Sequence, residues 1–211
     1  MTGNIFRSPK KRGKIAVFLS GRGSNFMAIH DAILAGEINA DIDLVFSNKG
    51  GAPGLEIARE RNLETCSLKP KEFPSREDYD RKIVEIMEER EIDLVCLAGY
   101  MRILTPVLCE AFLNKVINIH PALLPSFPGL HVQQKAIDWG VKFSGATVHF
   151  VTPEVDMGPI IIQAVVPVLQ EDTEETLSER ILKEEHKIYP EAVRLYFEGK
   201  LEVRDRRVFI V

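Results

Sequence analysis

The chain has 211 residues, 45% apolar and 27% charged, with 27 basic and 31 acidic side chains for a net charge of −4. At about 150 residues per domain this is one α/β-sized domain with additions, long enough to bury a core without staples. The composition excludes collagen, a mainly disordered chain and a disulfide scaffold; the acidic balance argues against a nucleic-acid coat, and no apolar run approaches the roughly 18 residues of a membrane span.

The first 13 residues read as a solvated basic arm, with Arg7, Lys10, Lys11 and Arg12 around Ser8-Pro9, and residues 14–211 as a single domain. The run Ile15–Leu19 suits a strand buried on both faces. It leads through Ser20-Gly21-Arg22-Gly23-Ser24-Asn25 into a helix over 25–36, closed by Gly36. Strands follow at 41–46, 64–68, 94–98 and 116–119, with helices at 53–61 and 75–90 between them. Ser75 and Asp78 hold the N-cap and N3 positions of the second of these helices. Residues 121–131 carry Pro121, Pro125, Pro128 and Gly129 and predict an ordered loop. Two late strands at 145–151 and 160–168 precede a long helix. The pair Thr176 and Glu179 reads as its capping box, and Pro190 predicts a kink or break. A hairpin around Asp205-Arg206 closes the chain. Strands alternating with helices predict an α/β fold with a doubly wound, mainly parallel, Rossmann-like sheet.

Ligands in such a sheet bind outside the carboxyl ends of the strands. The glycine-rich loop 20–25 suits an anion at the start of the first helix, where free N–H groups face outward. It is neither G-x-G-x-x-G nor a P-loop, which favours a small phosphate ester over a dinucleotide; a ligand-free tight turn is the alternative. Asn118 and His120 lie two residues apart at the tip of the fifth strand and share a face. Asn donates to an oxyanion, and His moves a proton or carries charge near neutrality. Asp156 lies between the late strands. Near His120 it would favour the charged imidazole; alone it reads as a turn residue. His131 and His149 are placed where either would line a site. No metal-ligand spacing and no G-x-S-x-G elbow occur. The three cysteines form no C-x-x-C pair, Cys96 reads as core filler, and free thiols without a signal-peptide pattern predict a cytoplasmic location.

These segments, with Ser75-Arg76-Glu77-x-Tyr79-Asp80, Ala98–Leu104, Asn118–Pro125, Pro128–His131, Val148–Val151 and Gly158–Ile161, resemble the phosphoribosylglycinamide formyltransferase family of folate-dependent enzymes over residues 14 to about 200. The resemblance implies transfer of a formyl group from 10-formyltetrahydrofolate, as co-substrate, to the amine of 5′-phosphoribosylglycinamide. It implies Asn118, His120 and Asp156 as catalytic residues. It implies Gly23, Ser24, Asn25, Phe26, Met27 and Glu185 as ribonucleotide-binding, and Arg76, Met101, Arg102, Ile103, Leu104, Thr152, Pro153, Glu154 and Val155 as folate-binding. Arg22 and Ala122 depart from the family's usual residues, and the basic arm lies outside the match. The expected partners are small molecules only, with no metal, nucleic acid or membrane, for a monomer or homodimer. Two related activities use the same Asn-x-His and Asp: formyltetrahydrofolate deformylase and methionyl-tRNA formyltransferase. The absence of an added N-terminal domain argues against the first, and the net charge and lack of an RNA-binding C-terminal region argue against the second.

Overall fold

The computed structural model describes residues 12–211. Expectations for the arm fall outside these residues except at its end. There Arg12 pairs with Asp41, and the first strand already begins at Gly13, opposite Ala40.

The first half winds as the sequence predicts, apart from an added short helix α4: β1 (Gly13–Leu19), α1 (Ser24–Leu34), β2 (Ala40–Ser47), α2 (Pro53–Glu60), β3 (Thr65–Ser67), α3 (Arg76–Glu89), β4 (Leu94–Leu97), α4 (Pro106–Ala111) and β5 (Val116–His120). Then come α5 (Val132–Asp138), β6 (Phe143–Phe150), β7 (Ile160–Pro167), α6 (Glu174–Phe197), β8 (Leu201–Arg204) and β9 (Arg207–Ile210). One sheet takes the order β3-β2-β1-β4-β5-β6-β7-β9-β8. Strands β1 to β5 pair in parallel, while β6 runs antiparallel to both β5 and β7. The chain leaves β1 toward β2 and β3, then returns to place β4 on the other side. The switch point for ligands is therefore the carboxyl edge between β1 and β4.

Alternation along β1 decides which layer each side chain enters. Ile15, Val17 and Leu19 pack with Phe26 and Ile29 of α1 and Leu177, Ile181 and Tyr189 of α6. Ala16 and Phe18 pack on the opposite face with Tyr79, Ile83 and Met87 of α3 and Leu108 of α4. A strand covered on both faces reads as a continuous apolar run, which is why 15–19 shows no polar alternation.

Three details differ from the sequence reading. Helices α4 and α5, with six and seven residues, are too short to impose a helical period on the sequence. Helix α6 is capped at Thr173, not Thr176. Thr173 N–H bonds Thr176 Oγ1 at 3.0 Å and Thr176 N–H bonds Thr173 Oγ1 at 3.4 Å, so threonine takes the N3 role expected of glutamate. Asp172 fixes this start by accepting from Leu169 N–H and both terminal nitrogens of Arg180. Helix α6 also runs unbroken through Pro190, which is buried with its neighbour Tyr189. Packing against the sheet and α1 offsets the one backbone hydrogen bond that proline removes. The Tyr189 hydroxyl lies 3.1 Å from the carbonyls of Leu97 and Ile117, joining α6 to β4 and β5 beneath the switch point. No helix among the described residues is long and apolar enough to cross a membrane.

Candidate active site

Register brings the polar groups of β5 and β6 together. Asn118 faces His149 and His120 faces Thr147 across the antiparallel pair. His149 Nδ1 lies 2.8 Å from the Phe150 carbonyl, which only accepts, so the ring proton sits there. Nε2 is then free to accept the Asn118 amide at 3.2 Å. Burial holds the His149 pKa below its usual value and keeps the ring neutral. His120 donates from Nε2 to the Phe127 carbonyl at 2.9 Å, which turns Nδ1 toward Asp156 Oδ2, 3.5 Å away. The other Asp156 oxygen lies 3.8 Å from His149 Nε2. Both histidines are nearly inaccessible, and the Asp156 side chain is 12% exposed.

Two irregular segments hold this geometry. Asp156 has φ 55°, and Gly129 N–H donates to its Oδ2 at 2.8 Å, tying it to the proline-rich loop. Gly158 lets the segment lie against β6: a Cβ there would run into the Phe150 carbonyl. The proline-rich loop is pinned by fully buried Thr147, whose hydroxyl donates to Ala122 O at 2.7 Å and accepts from Leu124 N–H at 3.1 Å. Gln163 adds a bond to the Leu124 carbonyl at 2.9 Å. These contacts satisfy backbone groups that an irregular buried segment would otherwise leave unpaired.

Beside the Asn118–His120–Asp156 group opens a cavity of about 430 Å³. It is lined by all three residues and by Met101, Arg102, Ile103, Leu104, Thr152, Pro153, Glu154 and Val155. Met101, Ile103 and Val155 leave apolar surface exposed at this cavity, as a largely apolar ligand requires. The N–H groups of Arg102, Ile103 and Leu104 make no hydrogen bond among the described residues, which leaves a polar edge for a planar heterocycle. Arg76 is not in the lining; it donates to the Ile103 carbonyl at 2.8 Å. His149, Tyr100, Gly129, Leu130 and Gln133 also line the cavity. His149 and His131, which also lines the cavity, carried a sequence signal; Tyr100, Gly129 and Leu130 depend on loop shape that no local pattern encodes, and Gln133 on the first turn of α5.

The glycine-rich loop lies at the same edge of the sheet. Gly23 caps α1 in the left-handed region with φ 77° and supplies no side-chain cap. The N–H groups of Ser24, Asn25 and Phe26 thus have no partner among the described residues, a terminus ready for an anion. Phe26 is fully buried and offers only its backbone. Asn25 Nδ2 donates to Glu185 Oε2 at 2.7 Å, while Asn25 Oδ1 is buried without a partner. Burial pushes the Glu185 carboxyl up, against the opposing pull of Asn25. Ser24 and Met27 open onto a groove of about 900 Å³ between α1 and α6. Arg22 is exposed and makes no ion pair among the described residues. Nor do those residues contain a cluster of three His, Cys, Asp or Glu side chains able to hold a metal.

Comparison with known proteins agrees with this architecture. The chain is 41% identical over 196 residues to the phosphoribosylglycinamide formyltransferase of Escherichia coli, covering 93% of this chain and 92% of that protein. It is 44% identical over 192 residues to the trifunctional purine biosynthetic protein adenosine-3 of Drosophila melanogaster, covering 90% of this chain but only 14% of the length of that protein. The crystal structure of glycinamide ribonucleotide transformylase 1 from Symbiobacterium toebii superposes with a TM-score of 0.95 at 47% identity, over 99% of this chain and 98% of the other. The family model described as Formyl transferase matches residues 13–193. On a match of that length, the chain belongs to the formyl transferase family.

Proposed function

We propose that the chain transfers the formyl group of 10-formyltetrahydrofolate to the amine of 5′-phosphoribosylglycinamide, giving the formylated ribonucleotide and tetrahydrofolate for purine biosynthesis. The observation that carries this reading is the meeting of Asn118, His120 and Asp156 at one cavity, with a helix terminus suited to a phosphate on the same sheet edge. The names of the E. coli and S. toebii relatives support it. The cavity's apolar lining and its unpaired backbone N–H groups at 102–104 suit a folate ring system. Gly23 to Met27 and Glu185 would hold the ribonucleotide. Three free cysteines fit a reducing, cytoplasmic compartment.

The reaction joins the amine nitrogen to the formyl carbon, pushes an electron pair onto the formyl oxygen, and then breaks the bond from that carbon to the folate nitrogen. Catalysis needs donors aimed at the developing oxyanion. Asn118 has a second amide hydrogen not engaged by His149. His120, with Nε2–H committed to Phe127, gains a donor at Nδ1 when protonated. Asp156 Oδ2, 3.5 Å from Nδ1, would accept from that donor, and the carboxylate can hold a water that takes the proton leaving the amine. The same water returns a proton to the departing nitrogen, so protons balance without a covalent enzyme intermediate. Burial pushes the Cys109 thiol up to about 11 and Cys96 higher still, so neither serves as a thiolate nucleophile near neutrality.

The test is absorbance of the folate product, followed with and without the ribonucleotide amine. The reading expects turnover only when the amine is present. Equal turnover in its absence would make the chain a hydrolase of formylfolate.

A further inference from the structure

Arg76, Tyr79 and Asp80 stand at i, i+3 and i+4 of α3 and share one face of that helix. The face meets the loop from β4 to α4. Arg76 bonds the Ile103 carbonyl, the Tyr79 and Tyr100 hydroxyls lie 3.3 Å apart, and the Arg102 guanidinium sits 4.7 Å over the Tyr79 ring. Thr105 N–H donates to Asp80 Oδ2 at 2.6 Å. Asp80 is 2% exposed. A carboxylate taken from water is unfavourable unless hydrogen bonds and nearby charge offset the loss. Burial raises the Asp80 pKa, while Thr105 and the charges of Arg102 and Arg76 oppose that rise. Ile83 and Met87 of the same helix pack with apolar neighbours. At Asp80 the helix instead carries an acceptor for the backbone of Thr105, the N-cap residue of α4.

The other end of the loop is fixed as well. Met101 N–H donates to Ser20 Oγ at 2.8 Å, and Ser20 in turn donates to Asn48 Oδ1 at 2.6 Å. Residues 100–104 have no helix or strand of their own. These anchors, with the burial of Tyr100 and Leu104 in the core, set the direction of the unpaired N–H groups at 102–104.

We propose that Asp80 and Tyr79 are positioning residues for the co-substrate cavity, holding residues 100–105 in the shape that presents those backbone donors to the ligand. The inference rests on the folate reading above. Neither side chain lines the cavity; both act through Thr105, Tyr100 and Arg102.

The test combines calorimetric titration with tetrahydrofolate and steady-state kinetics in both substrates. Asp80→Ala is expected to weaken tetrahydrofolate binding and raise the formylfolate KM by about tenfold, the scale of one buried polar group left unpaired. The ribonucleotide KM and kcat at saturation stay within about twofold, because the trio and the α1 terminus are untouched. Asp80→Asn keeps an oxygen for Thr105 N–H and restores most of the affinity. Tyr79→Phe removes one hydroxyl and raises the formylfolate KM about threefold; it carries the test if Asp80→Ala does not fold. Unchanged folate affinity in a folded variant, or an equal rise in both KM values, overturns the inference while leaving the function intact. Wild-type protein that binds no tetrahydrofolate overturns the folate reading itself, and this inference with it.

Discussion

At the β4–β5–β6 edge, groups meeting at the cavity come from the strand tips Asn118 and His120, from β6 at His149, and from loops at 101–104 and 152–156. At the start of α1 the polar groups sit on two helices, Asn25 on α1 and Glu185 on α6, with Asn25 Nδ2 2.7 Å from Glu185 Oε2. This terminus inherits its geometry from helix packing and from free N–H groups that are a property of any helix start. The cavity inherits its geometry from contacts distant in sequence, such as Gly129 with Asp156, Thr147 with Leu124 and Thr105 with Asp80. Binding at the α1 terminus should therefore respond to single helical residues. Catalysis and folate binding should respond both to the residues at the cavity and to their supports.

The largest expected effect belongs to the cavity. His120→Ala should lower kcat by about 10²–10⁴, the usual range for a proton-transferring group, in a chain that still folds. A loss below about threefold would remove His120 from the chemistry.

At the start of α1, Glu185→Gln should raise the ribonucleotide KM by about tenfold and leave the formylfolate KM alone, since it alters one buried polar group beside Asn25. The same variant sharpens the comparison through pH. The Glu185 pKa is raised in the fold by burial. Above the ordinary glutamate range the folded chain then holds a proton that the unfolded chain has released, so stability falls as pH rises there. Glu185→Gln should flatten that slope in melting curves taken from about pH 4 to pH 8. An identical slope in both proteins would mean that Glu185 does not carry it.

The smallest effect tests a support. Thr147→Val leaves the Leu124 N–H without its acceptor in a fully buried position, a loss of about 1–3 kcal/mol by thermal or urea unfolding. Unchanged stability would show that the proline-rich loop does not depend on β6.

The sequence made the winding of the parallel half legible because runs such as 15–19 and 94–97 must be apolar on both faces, and turn residues mark their ends. Asn118, His120 and the 20–25 loop drew attention for a related reason: each sits at a strand tip or helix start, where local rules point outward, whereas Phe26 and Met27 entered only through the family resemblance. Asp156 was ambiguous by local sequence, because its turn conformation and its place beside His120 leave the same trace. Helices α4 and α5 and the cap at Thr173 were missed, since short helices show no period and Thr173 caps with threonine where glutamate was sought. The bracing of residues 100–105 by α3 was invisible, because a buried aspartate on a helix looks like a surface one until the fold places Thr105 against it.

The central claim is that Asn118, His120 and Asp156 work as one unit on one carbon. A double-mutant cycle on kcat with His120→Ala, Asp156→Asn and the combined variant tests it most directly. Groups sharing one step are strongly non-additive, so the double variant should lose little more than the worse single variant. Losses that multiply, each single variant contributing its full factor in the other's absence, would contradict the account.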